Sequence, residues 1–198
     1  AVAPVGVQRI FNPEGELASA RAAASEKVPY IMSTASSTSI EDVAEANGDN
    51  GVRWFQLYWP ANEHNEITAS MLQRAKKAGF SALVVTLDTY ILGWRPSDMD
   101  NGYNPFLRSD SIGVAIGFSD HIFRSHFKSK HGCEVEEDMH AAAAEWTRTV
   151  FPGLSHSWED IEFLKKHWDG PIILKGIQTL SDARECVELG IQGIVVSN

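Results

Sequence analysis

The 198-residue chain is poor in cysteine, and the two that it has, Cys133 and Cys186, form neither a C-x-x-C motif nor a disulfide framework. This scarcity argues against a small disulfide-stapled fold and favours a reduced intracellular setting, whether cytoplasmic, mitochondrial or peroxisomal, over secretion. Basic residues are also scarce, because 17 Lys and Arg stand against 26 Asp and Glu, for a net charge of −9. A general nucleic-acid binder would carry a basic face or stripe, so that class is excluded.

Long apolar runs are missing as well, since no stretch approaches the ~20 residues of a membrane span. The sequence does not begin with Met, and its last residues, Gly193–Asn198, match a buried strand whose polar end has just been reached. We therefore expect these residues to be a section of a longer protein, and the sequence leaves targeting undecided. With 43% hydrophobic residues, the section is still large enough to bury one sizeable core.

Short runs rich in Val, Ile and Leu recur along the chain and predict parallel strands covered on both faces. The predicted strands are Ala1–Val5, Tyr30–Thr34, Trp54–Trp59, Ala82–Asp88, Pro171–Gly176 and Gly193–Asn198. Amphipathic patterns between most of them predict helices. These helices run from Asn12-Pro13 to about Glu26, from Ser39 to Ala46, from Glu66 to Ala78, from Glu134 to about Thr149, and onward from the capping signals at Ser157 and Thr179.

Six β units in βα alternation allow a doubly wound sheet or a (β/α)₈ barrel. A dinucleotide-binding sheet would place G-x-G-x-x-G after the first strand, and that motif is missing. Polar residues instead occupy the carboxyl ends of several strands, which is where a barrel builds its active site. The sequence therefore predicts an α/β fold, a TIM (β/α)₈ barrel that is incomplete here because its closing strands are missing.

One segment of about sixty residues, Pro96 to His156, interrupts the alternation after the fourth predicted strand. It is too long for an ordinary βα connection. On a barrel it would lie over the catalytic mouth, as a lid or an oligomer contact, and a purely structural excursion is the alternative. We accordingly predict one partial barrel domain over residues 1–198 with a lid-like insertion at about 96–156.

Eight short motifs in order make the chain resemble the FMN-dependent α-hydroxy-acid dehydrogenases and oxidases, the group that includes glycolate oxidase, lactate oxidase and lactate 2-monooxygenase. The motifs are Ala3-Pro4-Val5-Gly6, Pro13-Glu14-Gly15-Glu16, Met32-Ser33-Thr34, Trp54-Phe55-Gln56-Leu57-Tyr58, Thr86-Leu87-Asp88-Thr89, Leu92-Gly93-Trp94-Arg95, Leu174-Lys175-Gly176-Ile177 and Val195-Val196-Ser197-Asn198. The residues from Gly93 to Asp98 and the long insertion most resemble those of the lactate 2-monooxygenase branch.

The resemblance implies FMN as the cofactor and assigns residues to it. The backbone of Pro4, Val5 and Gly6 would lie along the flavin ring, where a small residue lets main chain approach closely. Three side chains, Ser33, Gln56 and Thr86, would hydrogen-bond the polar edge of the ring, and Ser197 would also contact the cofactor. The alternative is that Gly6 merely turns the strand and that the polar side chains are satisfied strand ends.

The resemblance also implies three catalytic residues. Lys175 would stabilise the negative charge of the reduced flavin, as a cation fixed in advance. Tyr58 and Arg95 would bind the carboxylate of the substrate, which a guanidinium holds through two parallel hydrogen bonds, and Arg95 could instead help to stabilise the transition state. The alternatives are a salt bridge from Lys175 to Asp88, an ordinary rim tyrosine, and a salt bridge of Arg95 within the insertion.

The implied activity is FMN-dependent oxidation of a short, lactate-like 2-hydroxy acid to the 2-keto acid or its decarboxylated product, with molecular oxygen or another electron acceptor. A homo-oligomer of the tetramer type is implied too. The family's catalytic base is a histidine directly after the Ser-Asn that ends strand six, and it would follow Asn198. We therefore expect the isolated section to be inactive.

Two other functions remain open from the sequence: a non-catalytic, truncated flavin-binding or interaction module, and another FMN barrel such as a type 2 isopentenyl-diphosphate isomerase. The choice between oxidase, dehydrogenase and monooxygenase is open as well. His121, His126 and His131 lie five apart, a spacing that spreads ligands around a helix, so we predict no metal site.

Overall fold

The computed structural model describes residues 1–108, 110 and 112–197, and within them an all-parallel, five-stranded sheet forms the centre of the fold. Its strands are β1 (Tyr30–Ser33), β2 (Arg53–Tyr58), β3 (Ala82–Thr86), β4 (Ile172–Lys175) and β5 (Gly193–Val195). They pair in chain order, β1-β2-β3-β4-β5, without a reversal. A doubly wound sheet reverses its strand order at a switch point, whereas a barrel adds neighbours in sequence. The topology is therefore that of a barrel.

Helices lie between the strands and within the long connection that follows β3. Their bounds are α1 (Gly15–Ser25), α2 (Ile40–Asn47), α3 (Asn65–Lys77), α4 (Pro96–Asp100), α5 (Ala115–Phe118), α6 (His121–His131), α7 (Met139–Val150), α8 (Ile161–His167) and α9 (Leu180–Glu188). Short 3₁₀ turns cover Gln8–Ile10, Asn62–His64, Pro105–Leu107 and Trp158–Asp160. In the part of the chain that is described, no helix combines the length and apolarity needed to traverse a bilayer.

Side-chain alternation gives the sheet two different faces. One face carries large apolar side chains, among them Met32, Phe55 and Leu83, which are fully buried in the core with residues of the flanking helices. The opposite face carries apolar residues such as Val84 near the middle of the strands and polar residues at their carboxyl ends. The pattern that packs the helices thus also sorts the polar side chains onto one side.

Three predicted helix starts are confirmed by their hydrogen bonds. The Ser39 hydroxyl accepts from the Asp42 N–H at 3.1 Å, and the Thr179 hydroxyl accepts from the Asp182 N–H at the same distance. Ser157 and Asp160 form the reciprocal capping box, which here opens the 3₁₀ turn leading into α8. Each cap satisfies an N–H group that would otherwise lack a partner in the first turn.

The predicted first strand, Ala1–Val5, is reduced to a single parallel bridge between Val2 and Tyr30. Pro4 has no N–H to donate to a ladder, and Val7 turns the chain in the left-handed region at φ 51°. The last predicted strand also ends early, at Val195, and Asn198 lies outside the described residues.

Two helix boundaries also differ from the prediction. The first helix begins at Gly15 and not at Asn12, whose side chain instead accepts from the Glu14 N–H. The acidic run Glu134–Asp138, expected as the start of a helix, forms turns, and the helix begins at Met139 under an Asp138 cap. Short side-chain acceptors compete with helix formation by bonding nearby backbone, which explains both shifts.

Arg74 of α3 joins the long connection to the sheet-covering helices. Its guanidinium pairs with Asp120 at 3.2 Å, donates to the Ile116 carbonyl at 3.0 Å, and binds both carboxylate oxygens of Glu41 on α2. Asp120 is fully buried and also caps α6 by accepting from the N–H groups of Ile122 and Phe123. This one side chain therefore holds α2, α3 and the start of α6 together.

Replacing Arg74 with Ala should strand the buried Asp120 carboxylate, so we expect a loss of about 3 kcal/mol in the free energy of unfolding. Urea denaturation measures it. The matched control is Arg148→Ala, which removes an exposed pair with Glu145 and should cost about 0.5 kcal/mol or less. Equal effects of the two substitutions would contradict the role given to Arg74.

Candidate active site

Five polar side chains converge at the carboxyl ends of β1 to β4, and we call them the strand-end cluster: Ser33, Gln56, Tyr58, Thr86 and Lys175. The sheet register places Ser33 beside Gln56, and it places Tyr58, Thr86 and Lys175 in one row across three strands. Residues in register on parallel strands point to the same face, so all five share it. The register therefore brings these five side chains to one edge of the sheet.

Hydrogen bonds lock the first part of this cluster. The Thr34 hydroxyl donates to the Gln56 carbonyl at 2.6 Å and accepts from the Tyr58 N–H at 3.0 Å. The Gln56 side chain accepts from the Thr34 N–H at 3.2 Å and donates to the Thr86 hydroxyl at 2.9 Å. Thr34, Gln56 and Thr86 are all buried, so their geometry is fixed by partners and not by solvent. Three strand ends are thereby tied together.

Lys175 is the member of the strand-end cluster that pairs with Asp88. Its ammonium is 3.3 Å from each oxygen of the Asp88 carboxylate, and both side chains are largely buried. The salt bridge weighed from the sequence is therefore present. Gly176 makes it possible, because a Cβ at that position would lie 2.8 Å from the Asp88 Cβ. The glycine also adopts φ 100°, a conformation that L side chains rarely reach.

Tyr58 stands where aromatic and charged groups meet. Its ring packs on Phe151 with centroids 4.7 Å apart. Burial first, and then the negative charge of Asp88, raise the pKa of the Tyr58 hydroxyl above its ordinary value, while Arg95 opposes the shift. The hydroxyl therefore stays protonated through the physiological range and remains a hydrogen-bond donor.

A cavity of about 480 Å³ adjoins the cluster, with Gly6, Ser33 and Tyr58 on one side. Its other walls come from the long connection, including Arg95, Phe106 and Phe151. Arg95 is exposed at the rim and pairs with Asp98 at 3.9 Å, so the salt bridge within the insertion that the sequence allowed is also present. The arrangement offers a donor, a cation and apolar walls around one space.

The N-terminal residues predicted to contact a cofactor divide into two groups. Gly6 lines the cavity, and a Cβ there would come within 2.8 Å of both the Cβ and the carbonyl oxygen of Ala35. The need for glycine thus arises from Ala35 within the protein. Pro4 and Val5 do not line this cavity, and Val5 instead borders a groove against α1.

Ser197 lies after β5 and away from the cavity. Its carbonyl accepts from the Gln178 amide at 3.2 Å, while its hydroxyl is buried and has no hydrogen-bond partner among the residues described. In the same described part, no group of three His, Cys, Asp or Glu side chains could hold a metal ion. His126 and His131 instead lie beside Glu66 and Glu145.

Comparison with known proteins agrees with this geometry. The model of the FMN-dependent dehydrogenase family matches residues 1–198. The chain belongs to the FMN-dependent dehydrogenase family. This membership accounts for the barrel topology and for the clustering of polar residues at the carboxyl ends of the strands.

Three members of the FMN-dependent dehydrogenase family illustrate the similarity. The chain is 66% identical to an FMN-dependent alpha-hydroxy acid dehydrogenase of Schizosaccharomyces pombe, over 100% of this chain and 48% of that protein. It is 39% identical to an L-lactate oxidase of Lysinibacillus sphaericus, over 99% of this chain and 47% of the oxidase. A crystal structure of mandelate oxidase matches with a TM-score of 0.76 and 37% identity, over 100% of this chain and 48% of that one. The chain thus spans about half the length of the relatives it matches.

The sequence did not predict Thr34, Ala35 or Phe151 as parts of this site. Thr34 carried a signal, because a threonine directly after a buried strand often bonds the neighbouring backbone. Ala35 and Phe151 carried none, since their places depend on how the N-terminal segment and the long connection fold back.

Substituting Gly176 with Ala should push Asp88 away from Lys175 and destabilise the protein. Gly190→Ala is the matched control, because Gly190 also has a positive φ but nothing within 4 Å of its added Cβ. We expect Gly190→Ala to cost about 1–2 kcal/mol and Gly176→Ala to cost clearly more, both by urea denaturation. Equal losses in the free energy of unfolding of the two variants would show that the contact of the added Cβ with Asp88 contributes nothing.

Proposed function

We propose that the enzyme containing these residues oxidises a short 2-hydroxy acid such as lactate to the 2-keto acid, or to its decarboxylated product, with FMN as cofactor. The observation that carries the proposal is the strand-end cluster beside a cavity that also contains Arg95. Molecular oxygen or another acceptor would take up the electrons. The proposal includes an intracellular location, which the free Cys133 and Cys186 favour, and a homo-oligomeric state.

The residues present fit a flavin. The polar edge of the flavin ring alternates hydrogen-bond acceptors with one donor, and the strand ends retain matching capacity. The Ser33 oxygen already accepts from the Ala35 N–H at 3.1 Å, which leaves its proton free, and Gln56 has used only one of its two amide hydrogens.

Each side chain then has a definite task. Oxidation of a 2-hydroxy acid removes two electrons and two protons, and FMN, when bound, accepts the electrons. Lys175 would supply positive charge beside the bound FMN, and Asp88 holds that ammonium in place before FMN binds. Tyr58 donates to the substrate carboxylate, and Arg95 swings from the rim to pair with it.

The proton acceptor in this proposal is a histidine outside these 198 residues. What supports it is the resemblance of the strand-end motifs, together with the coverage of only about half of the relatives' length. The segment at about 96–156 serves as a lid, which is supported by the contributions of Met99, Phe106 and Phe151 to the cavity wall.

Lys175→Met tests the proposal in the holoenzyme. Loss of the cation should slow anaerobic flavin reduction by lactate about 100-fold or more, measured by stopped-flow absorbance. Lys166→Met, on the exposed face of α8, is the control and should leave the rate unchanged. A Lys175→Met enzyme that reduces its flavin as fast as the control would refute the assigned role.

The 198 residues produced alone should carry far less than one FMN per chain and should not oxidise lactate. A parallel barrel closes with eight strands, and the described sheet leaves two edges unpaired. Flavin absorbance and a peroxide or keto-acid assay measure the two properties. Stoichiometric flavin together with lactate oxidation by the isolated chain would count against this part of the proposal.

A further inference from the structure

Glu16, near the start of α1, is a fully buried carboxylate. One of its oxygens accepts from the Gln8 N–H at 3.1 Å and from the Ser37 N–H at 2.9 Å, and the other accepts from the Thr38 hydroxyl at 3.0 Å. Among the described residues, no Lys, Arg or His forms a salt bridge with it. A buried carboxylate without a counter-ion persists only where several donors replace water, so these three contacts define its role.

The segment that Glu16 holds is strained. Val7 adopts φ 51° and ψ 32°, the left-handed region, which β-branched residues very rarely occupy. Three hydrogen bonds flank this residue: its own N–H donates to the Ala35 carbonyl at 2.9 Å, its carbonyl accepts from the Ile10 N–H at 3.0 Å, and the next N–H, that of Gln8, donates to Glu16. Such a conformation lasts only when the surroundings over-determine it, and Glu16 supplies the one restraint of the three that comes from a side chain.

Glu16 binds both of the chain segments that form this part of the cavity wall. Gly6 and Val7 line it from the N-terminal segment, and Ala35 lines it from the loop that follows β1. Ser37 and Thr38, the other partners of Glu16, lie two and three residues beyond Ala35 in that loop. One carboxylate thus ties together two segments that are in close contact at Gly6 and Ala35.

We propose that Glu16 is a positioning residue for the flavin: it holds the strained turn at Val7, and with it the Gly6 backbone, in the place the cofactor ring needs. This inference rests on the proposed function, since it assigns the Gly6 wall to FMN. Glu16 acts through Gln8, Ser37 and Thr38 and touches neither cofactor nor substrate.

The test uses the full-length apoprotein. It measures the FMN dissociation constant by quenching of flavin fluorescence, together with thermal unfolding of the apoprotein. Glu16→Ala should raise the dissociation constant at least tenfold. Glu16→Gln keeps an acceptor oxygen for the Gln8 and Ser37 N–H groups and should stay within threefold of the unaltered protein. Glu14→Ala is the control and should have no effect on FMN binding. Glu14 lies two residues before Glu16, and its replacement removes only an exposed salt bridge with Arg21.

Val7→Gly separates positioning from general stabilisation. Glycine adopts the left-handed conformation freely, so the turn should then depend less on Glu16. The double variant of Val7→Gly with Glu16→Ala should bind FMN within threefold of Val7→Gly alone. Fully additive losses would overturn the proposal, because they would make Glu16 a stabiliser with no link to the turn.

Two further outcomes are decisive. If the Glu16→Ala variant binds FMN as tightly as the Glu14→Ala variant does, this inference alone is overturned. If the unaltered full-length protein does not bind FMN, the proposed function is overturned as well. Should Glu16→Ala show no cooperative unfolding, Glu16→Asp replaces it, because aspartate keeps the charge and shortens the reach. Weakened FMN binding by Glu16→Asp supports the proposal, and unchanged binding rejects it.

Discussion

Alternation of side chains along parallel strands in fixed register is the constraint on which the rest of this structure depends. A shift of one residue in any strand would exchange its two faces, moving Gln56 into the helix-covered core and Phe55 into the cavity. Burial of the apolar face therefore fixes where the polar side chains emerge. The Thr34, Gln56 and Thr86 hydrogen bonds reinforce the same register at the strand ends.

Charge at the site is organised around one cation and its partner. Lys175 stands at the end of an apolar strand, where an isolated ammonium would be costly, and Asp88 compensates it. The same carboxylate contributes to the raised pKa of Tyr58, so the Tyr58 hydroxyl remains a hydrogen-bond donor before any ligand arrives. A preorganised site of this kind needs little rearrangement when charge develops on a bound group.

Local signals in the sequence were sufficient for the strands β1 to β4, for the caps at Ser39 and Thr179, and for the members of the strand-end cluster. Each depends on periodicity or on a side chain that bonds its own neighbourhood. The helix α6 was not predicted, although Asp120 caps it locally by accepting from the Ile122 and Phe123 N–H groups. The buried Asp120 carboxylate is secured by Arg74, which lies 46 residues away.

The restraints around Gly6 were equally hidden from the sequence. The left-handed Val7 contradicts the local preference of a β-branched residue, and contacts with the distant Ala35 and Glu16 help to impose it. Glu16 itself sits in a motif whose neighbouring Glu14 is exposed, so residue type alone does not distinguish the buried carboxylate from the exposed one. Long-range contacts decided these positions, and conflicts between local preference and global fold are typical of functional sites.

A crystal structure of the holoenzyme with FMN and a 2-hydroxy acid would show whether both ligands lie on the face of the sheet that carries the strand-end cluster. We expect the flavin ring between Gly6 and that cluster, with the Lys175 ammonium within about 3 Å of a ring atom and the substrate carboxylate against Tyr58 and Arg95. A flavin bound elsewhere, with Lys175 engaged by Asp88 alone, would contradict it.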